Sequence, residues 1–183
     1  YGGGATTFAL VVTSAHPRAA GVQNQLADLL LARGAQMSPE IVTYCLVNGC
    51  PEAAAHLGTR GAKLDLVGTA GIGRVDLVEA FLGDGATSST LHGAAMAMAA
   101  WYGRREVIAR MLDLGVDAGA RRASDGQTAL HIAAYQGNAE LVEDFLFIDS
   151  SARVSQELIS LEGSLAEAEI SDSNRATVGI YSV

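Results

Sequence analysis

Hydrophobic residues in the second half of the chain come in adjacent pairs, and each pair is followed by another pair four residues on. Residues 141–146 carry Leu, Val, Phe and Leu in this arrangement, and residues 107–112 carry Val, Ile, Met and Leu 34 residues earlier. This spacing places the four side chains on one face of an α-helix. The pattern predicts two amphipathic helices that pack in a common core, with Leu112 and Leu146 inside it.

A glycine precedes each of these helices, and an acidic residue follows the glycine by three positions. The pairs are Gly103 with Glu106 and Gly137 with Glu140. Glycine ends a helix in a left-handed conformation at little cost, and an acid in the first turn of the next helix meets the positive end of its dipole. The pattern therefore predicts a repeated helix–turn–helix hairpin.

Weaker copies of the hairpin occupy the first half of the chain. They centre on Gly49 and Gly73, with a third copy near residues 26–35. We predict about five repeats over residues 1–150, of which the first three are degenerate. Turn-forming residues at 116–127 predict a projecting loop before the last repeat, whereas residues 62–66 leave room only for a shortened one.

The last repeat carries the most specific motif. Residues 128–134 have the sequence Thr-Ala-Leu-His-Ile-Ala-Ala, and Gly137 and the apolar pairs follow. This segment resembles the ankyrin repeat, with Ala129 in place of the family's usual proline. The resemblance covers residues 5–149 and implies an all-α solenoid of stacked helix-turn-helix repeats with short projecting loops. It also implies that the His131 ring joins a structural hydrogen-bond network with Thr128.

Two repeat frames compete at residues 87–100. Residues 90–92, Thr-Leu-His, imitate the opening of the ankyrin motif, but they lie farther from Gly103 than the matching residues lie from Gly137. The glycine frame aligns an entire second helix, and we prefer it. It predicts that residues 90–92 form a lead-in or a lengthened first helix.

The repeat pattern fails after Asp149. Residues 151–170 place apolar residues at alternating spacings of four and three, with acidic residues elsewhere around the helix. We predict that residues 151–183 form a C-terminal helix capping the open end of the stack and a tail; a coiled coil is the alternative for the helix.

The amino-acid composition limits the classes of function that the chain can have. The chain of 183 residues has 12 basic and 20 acidic side chains and a net charge of −8, which argues against a nucleic-acid surface. No apolar run reaches the roughly 18 residues that a membrane span needs. Cys45 and Cys50 are too few for a disulfide framework, so we expect free thiols in a reducing, cytoplasmic compartment. Arginine is strongly preferred over lysine and alanine is abundant, which is typical of a GC-rich bacterial gene.

Candidate catalytic and cofactor motifs are weak. Residues 68–73, Gly-Thr-Ala-Gly-Ile-Gly, imitate a dinucleotide-binding loop, but no acidic residue ends a second strand about 20 residues later. Dinucleotide binding is therefore a minor alternative. The four histidines have no partner at metal-ligand spacing, and no nucleophile motif is present. We predict no catalytic residue, no metal and no cofactor.

The resemblance implies a function in protein–protein interaction through the concave groove of the array. It places four residues at the ends of first helices beside that groove and four on the last projecting loop: Trp101, Tyr102, Tyr135, Gln136, Arg121, Arg122, Ser124 and Asp125. Large amphipathic rings are good interface anchors. The alternative for the aromatic rings is that they only stack on neighbouring side chains.

The expected activity is that of a non-catalytic module that binds another protein. The chain starts at Tyr1 rather than methionine, which favours a fragment or a processed chain. A regulatory or substrate-docking part of a larger enzyme is therefore the alternative. The resemblance does not name the partner, because specificity lies in variable surface positions.

Overall fold

A computed structural model describes residues 5–83 and 88–148, and these residues form helices joined by turns and loops, with no strand among them. The all-α class predicted from the sequence is confirmed. The helices are α1 Thr7–Thr13, α2 Ala15–Ala19, α3 Gln23–Ala32, α4 Ile41–Val47, α5 Pro51–Thr59, α6 Leu66–Ile72, α7 Val75–Gly83, α8 Ser89–Trp101, α9 Arg105–Asp113 and α10 Ala129–Tyr135. Residues 139–148 form a further helix, α11, up to the limit of the described residues.

Glycine turns join the two helices of the last four hairpins, as predicted, whereas α2 lies between α1 and α3. Gly49, Gly73, Gly103 and Gly137 have φ values of +70°, +87°, +61° and +68°. The next helix then begins with an acid in its first turn, as with Glu106 in α9. The hairpins are therefore local structures, set by residues close together in the sequence.

The helices stack in two rows. The first helices of successive repeats pack against one another in the order α1, α4, α6, α8 and α10, and we call them the first-helix row. Among the second helices, α3 packs against α5 and α7 against α9. Gly71 shows how close the first helices lie, because a Cβ there would come within 2.5 Å of Leu46 Cδ1 and 2.7 Å of Met98 Cγ.

Helix α8 shows which of the two competing repeat frames at residues 87–100 is correct. It begins after Ser88, whose side chain accepts a hydrogen bond from the Leu91 amide at 3.4 Å, and it runs to Trp101. It ends two residues before Gly103, just as α10 ends at Tyr135, two residues before Gly137. The glycine frame and the lengthened first helix are confirmed.

The apolar stripes of the second helices are narrower than the sequence pattern predicts. Val107, Ile108 and Met111 of α9 are buried, but Leu112 is only partly buried, and Leu146 is 55% exposed. The placement of Leu146 in a core is wrong. Adjacent positions on a helix diverge by about 100°. A second helix can therefore bury one member of an apolar pair and leave the other at its flank.

The chain divides into two compact units, residues 1–142 and residues 143–183. The first unit contains the hairpins from α1 to α10 and the beginning of α11. The predicted capping helix and tail at residues 151–183 lie outside the described residues.

Candidate functional site

The first-helix row carries no Asp, Glu, Lys or Arg in any of its five helices. Helix α4 shows the result most clearly. It buries Leu46 in the core but leaves Tyr44 and Val47 exposed by 51% and 69%. A helix that is apolar nearly all round cannot bury every side chain in a two-row stack, so part of its apolar surface faces solvent.

This row forms the floor of a groove with a volume of about 330 Å³. The floor comes from three first helices, α4, α6 and α8, and one wall comes from the loop between α9 and α10. We call this surface the central groove, and its lining residues are Leu46, Val47, Val67, Ala94, Met98, Trp101, Arg122 and Ser124. Three of the eight sequence-predicted partner-binding residues, one on α8 and two on the loop, are therefore brought together here.

Trp101 and Tyr135 form a stacked pair of rings. Their centroids lie 5.9 Å apart with an interplanar angle of 26°. Each is the last residue of a first helix in successive repeats, so the stacking of the repeats aligns them. Trp101 remains 41% exposed and Tyr135 78% exposed. The rings stack on each other, as the alternative interpretation holds, and still offer surface beside the groove.

The loop that forms the wall is closed by backbone hydrogen bonds between its own residues. The Arg122 amide donates to the Gln127 carbonyl at 2.9 Å, and the Gly126 amide donates to the Arg122 carbonyl at 2.8 Å. The Arg122 guanidinium holds the Asp125 carboxylate with two hydrogen bonds, one of them from Nε to Oδ1 at 3.0 Å. These bonds lower the pKa of Asp125 and raise that of Arg122. The charges of Arg122 and Asp125 therefore cancel each other on the wall of the groove.

Gly93 of α8 lets this loop lie against the helix. A Cβ at Gly93 would overlap the carbonyl group of Arg121. The Arg121 side chain turns back into its own loop, where Nη1 donates to the Gly126 carbonyl at 2.9 Å. The loop is thus fixed to α8 by close backbone approach, and it shapes one side of the central groove.

Tyr102 and Gln136 occupy different surroundings. The Tyr102 hydroxyl donates to the Leu46 carbonyl and so joins the end of α8 to α4. Burial is the main cause that raises the pKa of Tyr102. Gln136 is the exposed C-cap residue of α10. Of the two, Tyr102 has a clear structural contact, and neither lines the central groove.

Sequence reasoning missed the aliphatic half of the groove. Leu46, Val47 and Val67 come from the degenerate repeats, where no family motif marks a binding position. The signal that was available is the lack of charge in α4 and α6. Amphipathic surface helices usually carry charged residues on their outer face, so uncharged helices that remain partly exposed indicate a surface with another use.

Residues 91–146 match the family model described as ankyrin repeats (many copies). This segment of the chain is therefore similar to ankyrin repeats. The matched segment runs from α8 into α11 and contains the hairpin, the projecting loop and the specific motif of the last repeat. No curated protein matches the chain. The degenerate repeats, which supply half of the groove floor, precede the matched segment.

The last ankyrin repeat contains the expected Thr128–His131 network. Thr128 Oγ1 and His131 Nδ1 lie 2.7 Å apart, and the two residues form a capping box at the start of α10. The Thr128 side chain also accepts a hydrogen bond from the His131 amide at 3.4 Å. His131 therefore stabilises a helix end, as the resemblance implied.

The dinucleotide alternative at residues 68–73 is wrong. The segment that would need to be a strand and a glycine loop is helix α6, Leu66–Ile72, in which Gly68 and Gly71 are buried. Gly73 then forms the turn to α7. A pyrophosphate would need exposed backbone amides at the N-terminus of the following helix, and the buried helical glycines do not provide them.

Metal-ligating and nucleophilic side chains were the other candidates for chemistry. Among residues 5–83 and 88–148, no group of three His, Cys, Asp or Glu residues is arranged to hold a metal ion. The buried thiols of Cys45 and Cys50 are free, and burial raises the pKa of Cys45 to about 12. Such a thiol is a poor nucleophile. No helix in the described part of the chain combines the length and apolar character needed to cross a bilayer.

Proposed function

We propose that this chain is a non-catalytic module that holds another protein on its central groove. Ankyrin repeats generally mediate protein–protein interaction. The observation that carries the more specific assignment is the groove itself, in which apolar residues of three first helices lie beside the loop wall and two of them, Val47 and Trp101, are exposed. Trp101 and Tyr135 supply rigid aromatic surface at one side of it.

The energetics favour the groove as the contact region. Removing one large aliphatic or aromatic side chain from water is worth about 1.5–3 kcal/mol. Val47, Trp101 and Tyr135 all keep more than a third of their surface exposed. A partner that covers these residues therefore gains hydrophobic free energy from surface that the folded chain leaves in water, and large rings with few rotatable bonds lose little entropy on binding.

The proposed cellular role follows from the same features. A net charge of −8 is unfavourable for binding nucleic acid, which supports a protein as the partner. Free buried cysteines suit a reducing, cytoplasmic compartment. Arg121, Gln136 and Asp125 lie outside the lining of the groove, and we assign them to its polar surroundings.

Affinity capture with matched variants tests this function. The intact chain is immobilised and exposed to extract of its own host, alongside Trp101→Ala in the groove and Leu29→Ala on α3 in the second-helix row. Leu29 is 53% exposed, comparable to Trp101 at 41%, so both variants remove exposed apolar surface. We expect a protein that the native chain and Leu29→Ala retain and that Trp101→Ala loses.

The opposite pattern would contradict the proposed function. If every retained protein binds Trp101→Ala as strongly as the native chain and is lost with Leu29→Ala, the binding surface is on the second helices. Far-ultraviolet circular dichroism of each variant shows whether the fold is intact, and both substitutions are at exposed positions that the fold tolerates.

A further inference from the structure

We propose that the partner presents the apolar, uncharged side of an amphipathic segment to the central groove, and that charge contributes little to the affinity. This inference rests on the proposed function and specifies the chemistry of the partner. The observations that carry it are the distribution of charge between the two helix rows, the internal pairing of the charges on the groove wall and the apolar lining of the floor.

In residues 5–83 and 88–148, the charged residues lie on the second helices, in turns and loops, and at Arg18 of the short helix α2. Each complete second helix carries at least one charge, for example Asp28 in α3, Glu52 in α5, Glu79 in α7 and Arg110 in α9. The five first helices carry none, apart from their two histidines. A charged partner side chain that enters the groove thus meets no complementary carboxylate or ammonium group on its floor.

The wall of the groove offers no unpaired charge either. Arg122 lines the groove, but its guanidinium is held by Asp125 and lies 3.5 Å from the Gln127 side-chain oxygen through Nη2. Ser124, the other wall residue, is neutral. Burying a partner charge here would cost its hydration without a compensating ion pair, which is unfavourable.

The floor instead complements apolar groups. Val47 is 69% exposed, and Met98, Val67 and Leu46 line the same space. A volume of about 330 Å³ is at the lower end for binding pockets, which suits a few inserted side chains of a peptide segment. An amphipathic segment fits because its apolar side fills the floor while its polar side remains in water.

A second pocket extends the apolar surface along the row. It lies on the other side of α4, has a volume of about 340 Å³ and includes Phe8, Ile41, Tyr44 and Asn48 in its lining. Helix α4 therefore separates two pockets that both lie against uncharged first helices. A segment that spans α4 can place apolar side chains on both sides of it.

The occupant is another protein rather than a second copy of this chain. Two copies would each bring a net charge of −8, and their repulsion opposes association. A neutral or positively charged partner meets no such repulsion when it approaches the apolar floor.

The test selects peptides from a phage-displayed random library on the intact chain and measures their affinity by fluorescence anisotropy. We expect the selected peptides to share two or more large aliphatic or aromatic residues. Raising the salt from about 0.01 M to about 1 M shortens the screening length from about 30 Å to about 3 Å. We expect the Kd to remain within about threefold or to tighten over this range.

Substitutions in the chain locate the binding surface. Val47→Asp places a charge on the floor and is expected to weaken binding by more than about tenfold, and Trp101→Ala provides a second, smaller change in the same groove. Leu29→Asp introduces the same charge at an exposed leucine of the second-helix row and is expected to leave the Kd unchanged. Both aspartate variants replace exposed residues, so circular dichroism is expected to be unaltered.

The remaining outcomes separate the two proposals. Peptides that are rich in charge, bind less tightly as salt rises and still lose affinity with Val47→Asp would overturn the apolar partner while the groove remains the binding site. Binding that Leu29→Asp abolishes and Val47→Asp does not affect would overturn both proposals. Self-association of the chain that Val47→Asp abolishes would identify a second copy as the occupant and overturn the assignment of a partner protein.

Discussion

A single glycine determines how closely the loop of the groove wall approaches helix α8. Gly93 lies inside α8, has ordinary helical backbone geometry and contacts the backbone of Arg121 in the loop. Backbone atoms cannot rotate away from an added methyl group as a flexible side chain can. The position of the groove wall therefore depends on the absence of one Cβ.

Gly93→Ala is expected to destabilise the fold by about 1–3 kcal/mol, because the loop must move to relieve the overlap. Chemical denaturation measures the change. Gly83→Ala is the matched control, since Gly83 also lies in a helix but has no heavy atom within 4 Å of the added Cβ. We expect the control to change stability by less than about 1 kcal/mol. Equal losses in both variants would show that the loop does not depend on Gly93.

Tyr102 tests whether a residue beside the groove serves the fold or the partner. Its hydroxyl joins α8 to the Leu46 carbonyl of α4. Tyr102→Phe keeps the ring and removes this hydrogen bond, so we expect a loss of about 0.5–1.5 kcal/mol in the free energy of unfolding. Peptide affinity is expected to stay unchanged. A variant of native stability with weakened binding would instead place Tyr102 in the contact surface.

The Arg122–Asp125 pair gives a pH-dependent signature. The lowered pKa of Asp125 means that the folded chain favours the charged carboxylate. The pair thus supports the folded loop above the ordinary carboxyl pKa of about 3.9, and the support is lost as the pH falls through the lowered value. We expect NMR titration to show Asp125 below its usual pKa and Arg122→Gln to return it upward. An ordinary pKa for Asp125 in the native chain would show that the ion pair does not hold the wall in solution.

At the scale of the helix, the sequence predicts what depends on neighbours along the chain. The turns at Gly73, Gly103 and Gly137 follow from local backbone preference, and the lengthened α8 follows from aligning the glycines. The burial of each stripe depends on packing between helices that are distant in sequence. That is why the pattern alone placed Leu146 in a core where the structure leaves it exposed.

Two substitutions distinguish the buried and exposed sides of this pattern. Met111→Ala removes a side chain with no exposed surface and is expected to cost about 2–5 kcal/mol, because it leaves a cavity. Leu146→Ala removes a side chain that is 55% exposed and is expected to cost less than about 0.5 kcal/mol. Thermal or chemical denaturation compares them. A loss for Leu146→Ala as large as that for Met111→Ala would restore the sequence-based placement.

At the scale of the whole chain, the proposed binding surface is assembled from parts that differ in how clearly the sequence marks them. Trp101 and the loop residues Arg122 and Ser124 belong to repeats with a specific motif, and the resemblance pointed to them. Val47 and Val67 belong to degenerate repeats, and only the stacking of hairpins brings them to the same groove. Their contribution was hidden because it depends on long-range packing.

The segregation of charge is itself a property of the array. Each repeat contacts its neighbours, so a feature shared by every first helix becomes a continuous surface of the stack. Here the shared feature is the lack of Asp, Glu, Lys and Arg. The second helices and loops carry charges, while the first-helix row keeps an uncharged surface, which we propose as the contact surface.

Mapping a selected peptide by NMR shows where it binds on the chain, and a mass of 18.9 kDa suits the method. We expect shift changes at the Trp101 indole, at Val47 and at Met98, with weak changes along α3, α5, α7 and α9. Shift changes confined to those second helices, with the Trp101 indole and Val47 unmoved, would contradict this expectation.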